Sequence, residues 1–308
     1  MNRKLYLALI LLSLIWGGSF MFVKILLEDY GPWAVAFLRS SFGLVLITAV
    51  MLVMRQPFGL KDIRWLPMAV ISLINTAVPW TLIGFSETHL TSGMASILNA
   101  TTPLWTMVIG VVLFQTATTR RQWFGMGVAL FGLVLLVGLR TSSLSSVDPL
   151  GLLCMLGATL CYGFGTQLTK RFLPSLTLYQ TTFGTLVSAM VGSGIMAFST
   201  ERVSFAPLAS LPVISAVVGL GVFGSGVAYI LFYFMVQKGS PEFATMVTYL
   251  VPATALIWGF TLLGEAVSWN MVAGLLFILG GVYLAGSRSR KAAPGLERGI
   301  KTVRTGSK

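Results

Sequence analysis

The chain has 308 residues, of which 56% are hydrophobic and only 10% are charged. So few charged side chains cannot cover the surface of a water-soluble domain, and the composition therefore predicts an integral membrane protein. The formal net charge of +12 does not indicate nucleic-acid binding, because the cations lie in short segments between long apolar runs.

These apolar runs do not alternate as the strands of a membrane β-barrel do, and most have the roughly 20 residues that a membrane helix needs. The first run continues well past the apolar region of a signal peptide, and no small-x-small cleavage site follows, so we interpret it as an uncleaved helix. We predict an all-α integral membrane fold with ten transmembrane helices, over residues 5–27, 33–54, 65–86, 91–114, 121–139, 149–170, 177–199, 210–234, 241–263 and 269–287.

Lys and Arg residues concentrate on one side of these predicted spans, which predicts the orientation of the chain. That side holds Arg3, Lys4, Arg55, Lys61, Arg64, Arg120, Arg121, Lys170, Arg171, Lys238 and the basic C-terminal tail. The opposite side holds Arg140 and Arg202 together with most of the acidic residues. We therefore expect a plasma-membrane protein with both termini in the cytoplasm and a tail, 288–308, that is disordered.

The chain also repeats itself. A shift of 149 residues takes Gly125 to Gly274 and Gly132 to Gly281, and a shift of 146 residues superimposes parts of the first and sixth helices. Five spans per copy is an odd number, so the two copies must cross the membrane in opposite directions, as inverted repeats. We predict a first five-helix repeat over 1–140 and a second over 141–287.

A polar seam marks the fourth helix. At about 100° per residue, Ser96, Asn99 and Pro103 lie on one face of the helix, with Thr102 beside them. The 149-residue shift places the equivalent positions in the ninth helix at Thr245, Thr248 and Pro252. We interpret the two helices as the walls of one central site, in which each proline frees a backbone carbonyl one turn earlier.

Other residues on matching faces of the two repeats extend this candidate cavity. We predict that its substrate-binding set comprises Trp16, Asn75, Trp80, Ser96, Asn99, Thr102, Tyr162, Tyr229, Thr245, Thr248 and Tyr249. The polar members could equally hydrogen-bond neighbouring helices, and the aromatic members could belong to the core or to the interfacial belts.

Three cations lie near the ends of helices. Lys24 and Lys170 are repeat mates at opposite faces of the membrane, whereas Gln180 takes the place of a mate for Arg39. They are candidates for gates, and the alternative is that each snorkels to the interface, with Glu28 or Asp29 as a partner on the outer side.

The chain offers little for metal or cofactor chemistry. Cys154 and Cys161 lie too far apart along one predicted helix to form a disulfide, and with His89 they make no metal-ligand set. We expect no cofactor. We also predict no Asp or Glu near the middle of the membrane, which leaves facilitation, exchange, or ion coupling through Glu87, Glu242 or Glu265 as alternatives.

Four stretches carry a resemblance to a known family: LIWGGSFMFVK at 14–24, FLRSSFGLVL at 37–46, ATTPLWTMVIGVVLF at 100–114 and YLVPATALIWGFTLLGEAVSWNMVAGLLFILGG at 249–281. They resemble the drug/metabolite transporter superfamily, specifically its ten-helix EamA-type exporters. The resemblance implies a central cavity lined by helices 1, 3, 4, 6, 8 and 9. The Gly-Glu pair that the family has after a fourth or ninth helix is present as Gly264-Glu265, but Gln115-Thr116 stands in its place in the first copy.

The residues and the resemblance together predict a secondary transporter that exports small metabolites such as amino acids by alternating access. Efflux of drugs or organic cations is the main alternative. A membrane-embedded enzyme is disfavoured because the chain has no His, Cys and carboxylate cluster, and a sensor because it has no attached signalling domain. We expect a small-molecule substrate and a lipid environment, and a monomer is compatible with the sequence.

Overall fold

The computed structural model describes residues 3–137, 148–254 and 269–286, and in this part of the chain the regular structure is helical throughout. We number the helices in chain order. Their bounds are Arg3–Leu26 (α1), Pro32–Val53 (α2), Trp65–His89 (α3), Ser92–Phe114 (α4), Arg120–Val137 (α5), Pro149–Phe172 (α6), Leu178–Thr200 (α7), Leu211–Lys238 (α8), Pro241–Thr245 continuing over 247–254 (α9) and Trp269–Gly286 (α10).

Seven of these helices, α1 to α4 and α6 to α8, are long and apolar enough to cross a membrane. The prediction of an all-helical membrane fold is therefore confirmed. The three other predicted spans correspond to α5, to α9, whose predicted end lies outside the described residues, and to α10, where Val272–Ala285 forms a shorter apolar helix. Ten crossings and the inverted-repeat layout remain predictions, and the predicted tail and the Gly264-Glu265 pair lie outside the described residues.

Most helices begin where the sequence supplies a proline or a capping side chain. Pro32, Pro149 and Pro241 occupy the first turns of α2, α6 and α9, where the missing N–H costs nothing. Asp148 accepts hydrogen bonds from the backbone N–H groups at the start of α6 and lies 3.1 Å from His89 Nδ1. The bond from the Leu150 N–H is the main reason that the pKa of the Asp148 carboxyl lies below its usual range.

Five of the described helices are interrupted, α9 at Met246 and four others nearer their middles. α1 breaks at Gly18 and α4 at Ala100–Thr101, whereas α3 and α8 each contain a π-helical segment, at Leu73–Ala77 and Gly219–Val227. The two π-helical segments overlap when the chain is shifted by the same 149 residues that relate the two sequence copies. π-helical segments often occur at functional sites, and both of these face the centre of the molecule.

Glycines allow α5 and α10 to cross at close range. A Cβ atom on Gly125 would lie 2.5 Å from Ala285 N, and one on Gly132 would lie 2.6 Å from Ile278 N, distances that real Cβ atoms do not reach. Gly125 faces the Gly281 carbonyl and Gly132 faces the Gly274 carbonyl. Gly125 thus contacts the repeat mate of Gly132, and Gly132 contacts the repeat mate of Gly125. A two-fold axis between the two helices produces this pattern.

Polar side chains accumulate at the centre of the helix bundle. Asn75, Thr102 and Thr166 are buried there among aromatic residues, although the lipid-facing surfaces are apolar. Such residues are costly inside a membrane protein unless they find partners or line a cavity, and their positions lead to the candidate site.

Candidate functional site

A cavity of about 60 Å³ lies at the centre of the bundle. Residues from α1, α2, α3, α4, α6, α8 and α9 line it. Six of these helices are the ones that the resemblance implies, and α2 is additional. The lining residues are Trp16, Ser19, Phe20, Val23, Arg39, Asn75, Trp80, Ile83, Asn99, Thr102, Tyr162, Tyr229, Phe232, Thr245, Val247, Thr248 and Val251.

The structure brings together nine of the eleven residues that the sequence analysis assigned to substrate binding, and Ser96 and Tyr249 are the two that do not line the cavity. Ser96 donates its hydroxyl hydrogen to the Gly93 carbonyl at 2.8 Å. Tyr249 is fully buried, and its hydroxyl has no hydrogen-bond partner in the part of the chain that the structure describes. Phe20, Val23, Ile83 and Phe232 line the cavity although the sequence analysis did not name them, because apolar side chains give no signal that separates a cavity wall from a core.

The break in α4 arises next to Pro103, which is buried and has no N–H to offer to the Asn99 carbonyl. The Thr102 hydroxyl donates to that carbonyl at 2.7 Å. The carbonyl that the proline frees therefore accepts a side-chain hydrogen bond from its own helix, which leaves one of its two lone pairs. The Asn99 side chain remains on the cavity wall.

In α9, the polar side chains bond mainly to their own helix. The Thr245 hydroxyl lies within hydrogen-bond distance of the Pro241 and Glu242 carbonyls, at 3.1 and 3.2 Å, and Thr248 donates to the Thr245 carbonyl at 2.9 Å. Each hydroxyl oxygen keeps acceptor capacity on the cavity side. Pro252 is buried beside them.

Aromatic rings form much of the cavity wall. Trp80 and Tyr229 are repeat mates, and their rings meet edge to face with centroids 5.3 Å apart. The Trp16 ring lies 5.7 Å from that of Phe232, and its indole N–H donates to the Gly224 carbonyl at 3.0 Å. That carbonyl belongs to the π-helical segment of α8, which therefore fixes the orientation of Trp16.

Asn75 enters the cavity from the π-helical segment of α3. Its side-chain oxygen accepts a hydrogen bond from Thr166 Oγ1 at 3.3 Å. Its side-chain nitrogen is buried and has no hydrogen-bond partner among the described residues. Gly165 on α6 packs directly against Asn75, because a Cβ atom there would overlap the asparagine side chain.

Arg39 reaches the same cavity from α2. Its guanidinium carbon lies 3.6 Å from the centroid of the Trp80 ring, and Nε donates to Ser225 Oγ at 3.1 Å. Only 5% of the residue is exposed. Gly221 and Gly226 on α8 allow the backbone of α2 to come this close. The structure therefore places this residue, a predicted gate, on the wall of the cavity itself.

Lys24 and Lys170 lie at opposite ends of the bundle and make matching contacts. Lys24 Nζ donates to the Glu87 carbonyl at 2.6 Å, and Lys170 Nζ donates to the Gln237 carbonyl at 2.9 Å. Each lysine ends the first helix of its copy, and each carbonyl lies near the end of the third helix. The observed hydrogen-bond acceptor of Lys24 is thus a backbone carbonyl of α3 rather than Glu28 or Asp29.

Two buried carboxylates lie close to the site. Glu87 is fully buried, and its Oε2 accepts from Ser92 Oγ at 2.9 Å, whereas Oε1 has no partner within residues 3–137, 148–254 and 269–286. Glu242 is almost fully buried, and its Oε1 accepts from Gln167 Nε2 at 2.6 Å. The sequence analysis named both only as alternatives for ion coupling, because hydropathy placed them at span ends.

The chain matches the model of the EamA-like transporter family twice, over residues 3–138 and 149–287. It is 27% identical over 283 residues to the "Uncharacterized inner membrane transporter YedA" of Escherichia coli (strain K12), a match that covers 89% of this chain and 88% of that protein. It is 26% identical to an "Uncharacterized transporter" of Archaeoglobus fulgidus, covering 94% of this chain and all of that one.

"Protein PecM" of Dickeya dadantii is 23% identical over 287 residues, a match that covers 91% of this chain and 93% of that one. A solved crystal structure of a protein superimposes with a TM-score of 0.76 at 15% identity, and the match covers 92% of this chain and 98% of that structure. At this level of identity the likeness concerns the fold.

Proposed function

Because this chain belongs to the EamA-like transporter family and is a multi-pass membrane transporter, we propose that it exports small metabolites such as amino acids by alternating access around the central cavity. The single observation that carries the proposal is the cavity itself, whose wall combines side-chain amides, hydroxyls and aromatic rings from both sequence copies. A few polar groups on a largely apolar wall are typical of small-molecule sites.

The size of the cavity supports a moving mechanism. Small-molecule pockets usually enclose about 300–1,000 Å³, and this cavity, of about 60 Å³, is far smaller. We propose that the lining helices move apart when an amino acid enters. We propose that the two halves rock about α4 and α9, two interrupted helices that flank the cavity.

Matching contacts in the two copies support inverted repeats. The crossing of α5 and α10 exchanges repeat mates, and Lys24 and Lys170 bond to equivalent carbonyls at opposite ends of the bundle. Two arrangements related in this way can exchange roles when the molecule switches between outward and inward access. We propose that the lysines close the two entrances in turn, with both termini in the cytoplasm.

A second candidate function is the efflux of drugs or organic cations. The aromatic wall formed by Trp16, Trp80, Tyr162 and Tyr229 favours it, because ring faces attract cations.

Thermal unfolding of the purified protein in detergent tests the proposal, with a panel of amino acids, nucleobases, sugar phosphates and lipophilic cations. A ligand at 100 times its dissociation constant stabilises the folded state by about 2.7 kcal/mol. We expect amino acids to raise the unfolding temperature of the wild type and to have little effect on Asn99→Ala. Stabilisation by lipophilic cations alone would favour the second function, and equal stabilisation of wild type and variant would remove the cavity from the proposal.

A further inference from the structure

Arg39 is a cation on the wall of the central cavity, and the residue is almost fully buried. The only hydrogen bond that its guanidinium group makes with the described part of the chain is the one from Nε to Ser225. No carboxylate of that part lies within 4.0 Å of its nitrogens, since the ion pair found there joins His89 to Asp148. The face of the group rests on Trp80, and the two terminal nitrogens have no acceptor among the described residues.

A charge held in such a place is costly unless an opposite charge or several hydrogen bonds compensate it. The Trp80 ring supplies part of this compensation. The planar fork of terminal N–H groups still lacks the acceptor that it fits best, which is a carboxylate with two parallel oxygens.

Asn75 adds a side-chain amide to the same cavity wall, where it contacts Thr166 Oγ1. The two terminal nitrogens of Arg39 form a site for an anionic acceptor. The surrounding wall of Phe20, Ile83 and Phe232 is apolar and suits a hydrocarbon body.

We infer that the cavity takes organic acids and amino acids, whose carboxylate binds to Arg39 while the hydrocarbon part packs on the aromatic wall. This inference rests on the proposed transport function and names the substrate class of the same site. It also separates the two candidate functions, because an organic cation in this cavity would meet the like charge of Arg39, which disfavours its binding.

Matched compounds that share a hydrocarbon skeleton and differ in whether they carry a carboxylate, an ammonium group or both test the inference. One set is L-phenylalanine, 3-phenylpropanoate and 2-phenylethylamine, and the other is L-leucine, 4-methylpentanoate and 3-methylbutylamine. The concentration dependence of the unfolding temperature of the wild-type protein gives an apparent affinity for each compound. We expect the amino acid and the acid of at least one set to bind at least tenfold more tightly than the corresponding amine.

Variants then test the role of Arg39. We expect Arg39→Gln to weaken binding of the acid at least tenfold, and Arg39→Lys, which keeps the charge but not the fork, to weaken it less. Arg202→Gln is the control, because Arg202 is exposed and its loss changes the net charge equally. If Arg39→Gln does not fold, the wild-type ranking of the compounds decides alone.

The inference is overturned if an amine binds as tightly as its acid, if Arg39→Gln keeps the affinity for the acid, or if no carboxylate in either set stabilises the protein. Failure of the proposed function has a different signature, which is the absence of any saturable solute movement in proteoliposomes. If only lipophilic cations move, the protein is still a transporter, but the inference that its substrates carry a carboxylate is wrong.

Discussion

The carboxylate of Glu242 accepts a hydrogen bond from the side-chain amide of Gln167, with 2.6 Å between Oε1 and Nε2. The same amide nitrogen donates to the Thr106 carbonyl at 3.0 Å. Gly110 leaves room for both side chains, since a Cβ atom there would approach each of them. Glu242, Gln167 and the backbone of α4 thus form a buried hydrogen-bonded group that joins α4, α6 and α9.

A double-mutant cycle on this pair measures what it contributes. We expect Gln167→Leu to lower the free energy of unfolding by about 1–3 kcal/mol, because a buried acceptor then loses its donor. In a Glu242→Leu background, Gln167→Leu should cost less, with a coupling energy of about 0.5–3 kcal/mol. Unfolding in detergent measures both values. Additive effects of the two substitutions would show that the pair is not a functional unit of the structure.

Periodicity predicted much of the site at the level of residues. The helical spacing of Asn99 and Thr102 placed both on one face, and both line the cavity. Ser96 has the same spacing, but it does not line the cavity and donates to the Gly93 carbonyl of its own helix. Glu242 could not be recognised as buried, because hydropathy gives the ends of a helix but not what neighbouring helices cover.

The crossing of α5 and α10 is the closest helix contact that glycines permit in the described part of the chain, and it offers a matched test. We expect Gly125→Ala to destabilise the protein by about 1–3 kcal/mol, because the added methyl group forces the helices apart. Gly127→Ala, two residues away on the same helix, is the control, since a Cβ atom there meets nothing within 4 Å. It should be neutral or slightly stabilising, because alanine favours a helix more than glycine does.

Thermal unfolding in detergent compares these two variants directly. Equal unfolding temperatures for Gly125→Ala and Gly127→Ala would contradict the close crossing. Gly281→Ala and Gly280→Ala repeat the comparison on α10, where the first position faces Ala129 and the second is open.

Hydropathy predicted the helices well but not their interruptions. The predicted span 65–86 corresponds to Trp65–His89, and 91–114 corresponds to Ser92–Phe114. The π-helical segments of α3 and α8 were not predicted, because the pattern of apolar residues does not show to which carbonyl each backbone N–H donates its hydrogen bond. These segments direct Asn75 into the cavity and offer the Gly224 carbonyl to Trp16, so the missed feature shapes the site.

At the level of the whole molecule, the distribution of cations predicts that the chain begins and ends in the cytoplasm. We expect green fluorescent protein fused after Lys308 to be fluorescent, and alkaline phosphatase fused there to be inactive, since the former matures in the cytoplasm and the latter outside. A phosphatase inserted after Val147, in the predicted outer loop, should be active. An active phosphatase after Lys308 would contradict the predicted ten crossings.

The central claim is that a solute crosses the membrane through the cavity between the two halves. Its most direct test is solute movement in proteoliposomes, with labelled amino acids and labelled tetraphenylphosphonium as separate probes, for wild type and for Asn99→Ala. We expect saturable movement of amino acids by the wild type and a rate at least tenfold lower for a folded Asn99→Ala protein. Movement of both probes no faster than in protein-free liposomes, or equal rates for wild type and variant, would contradict the claim.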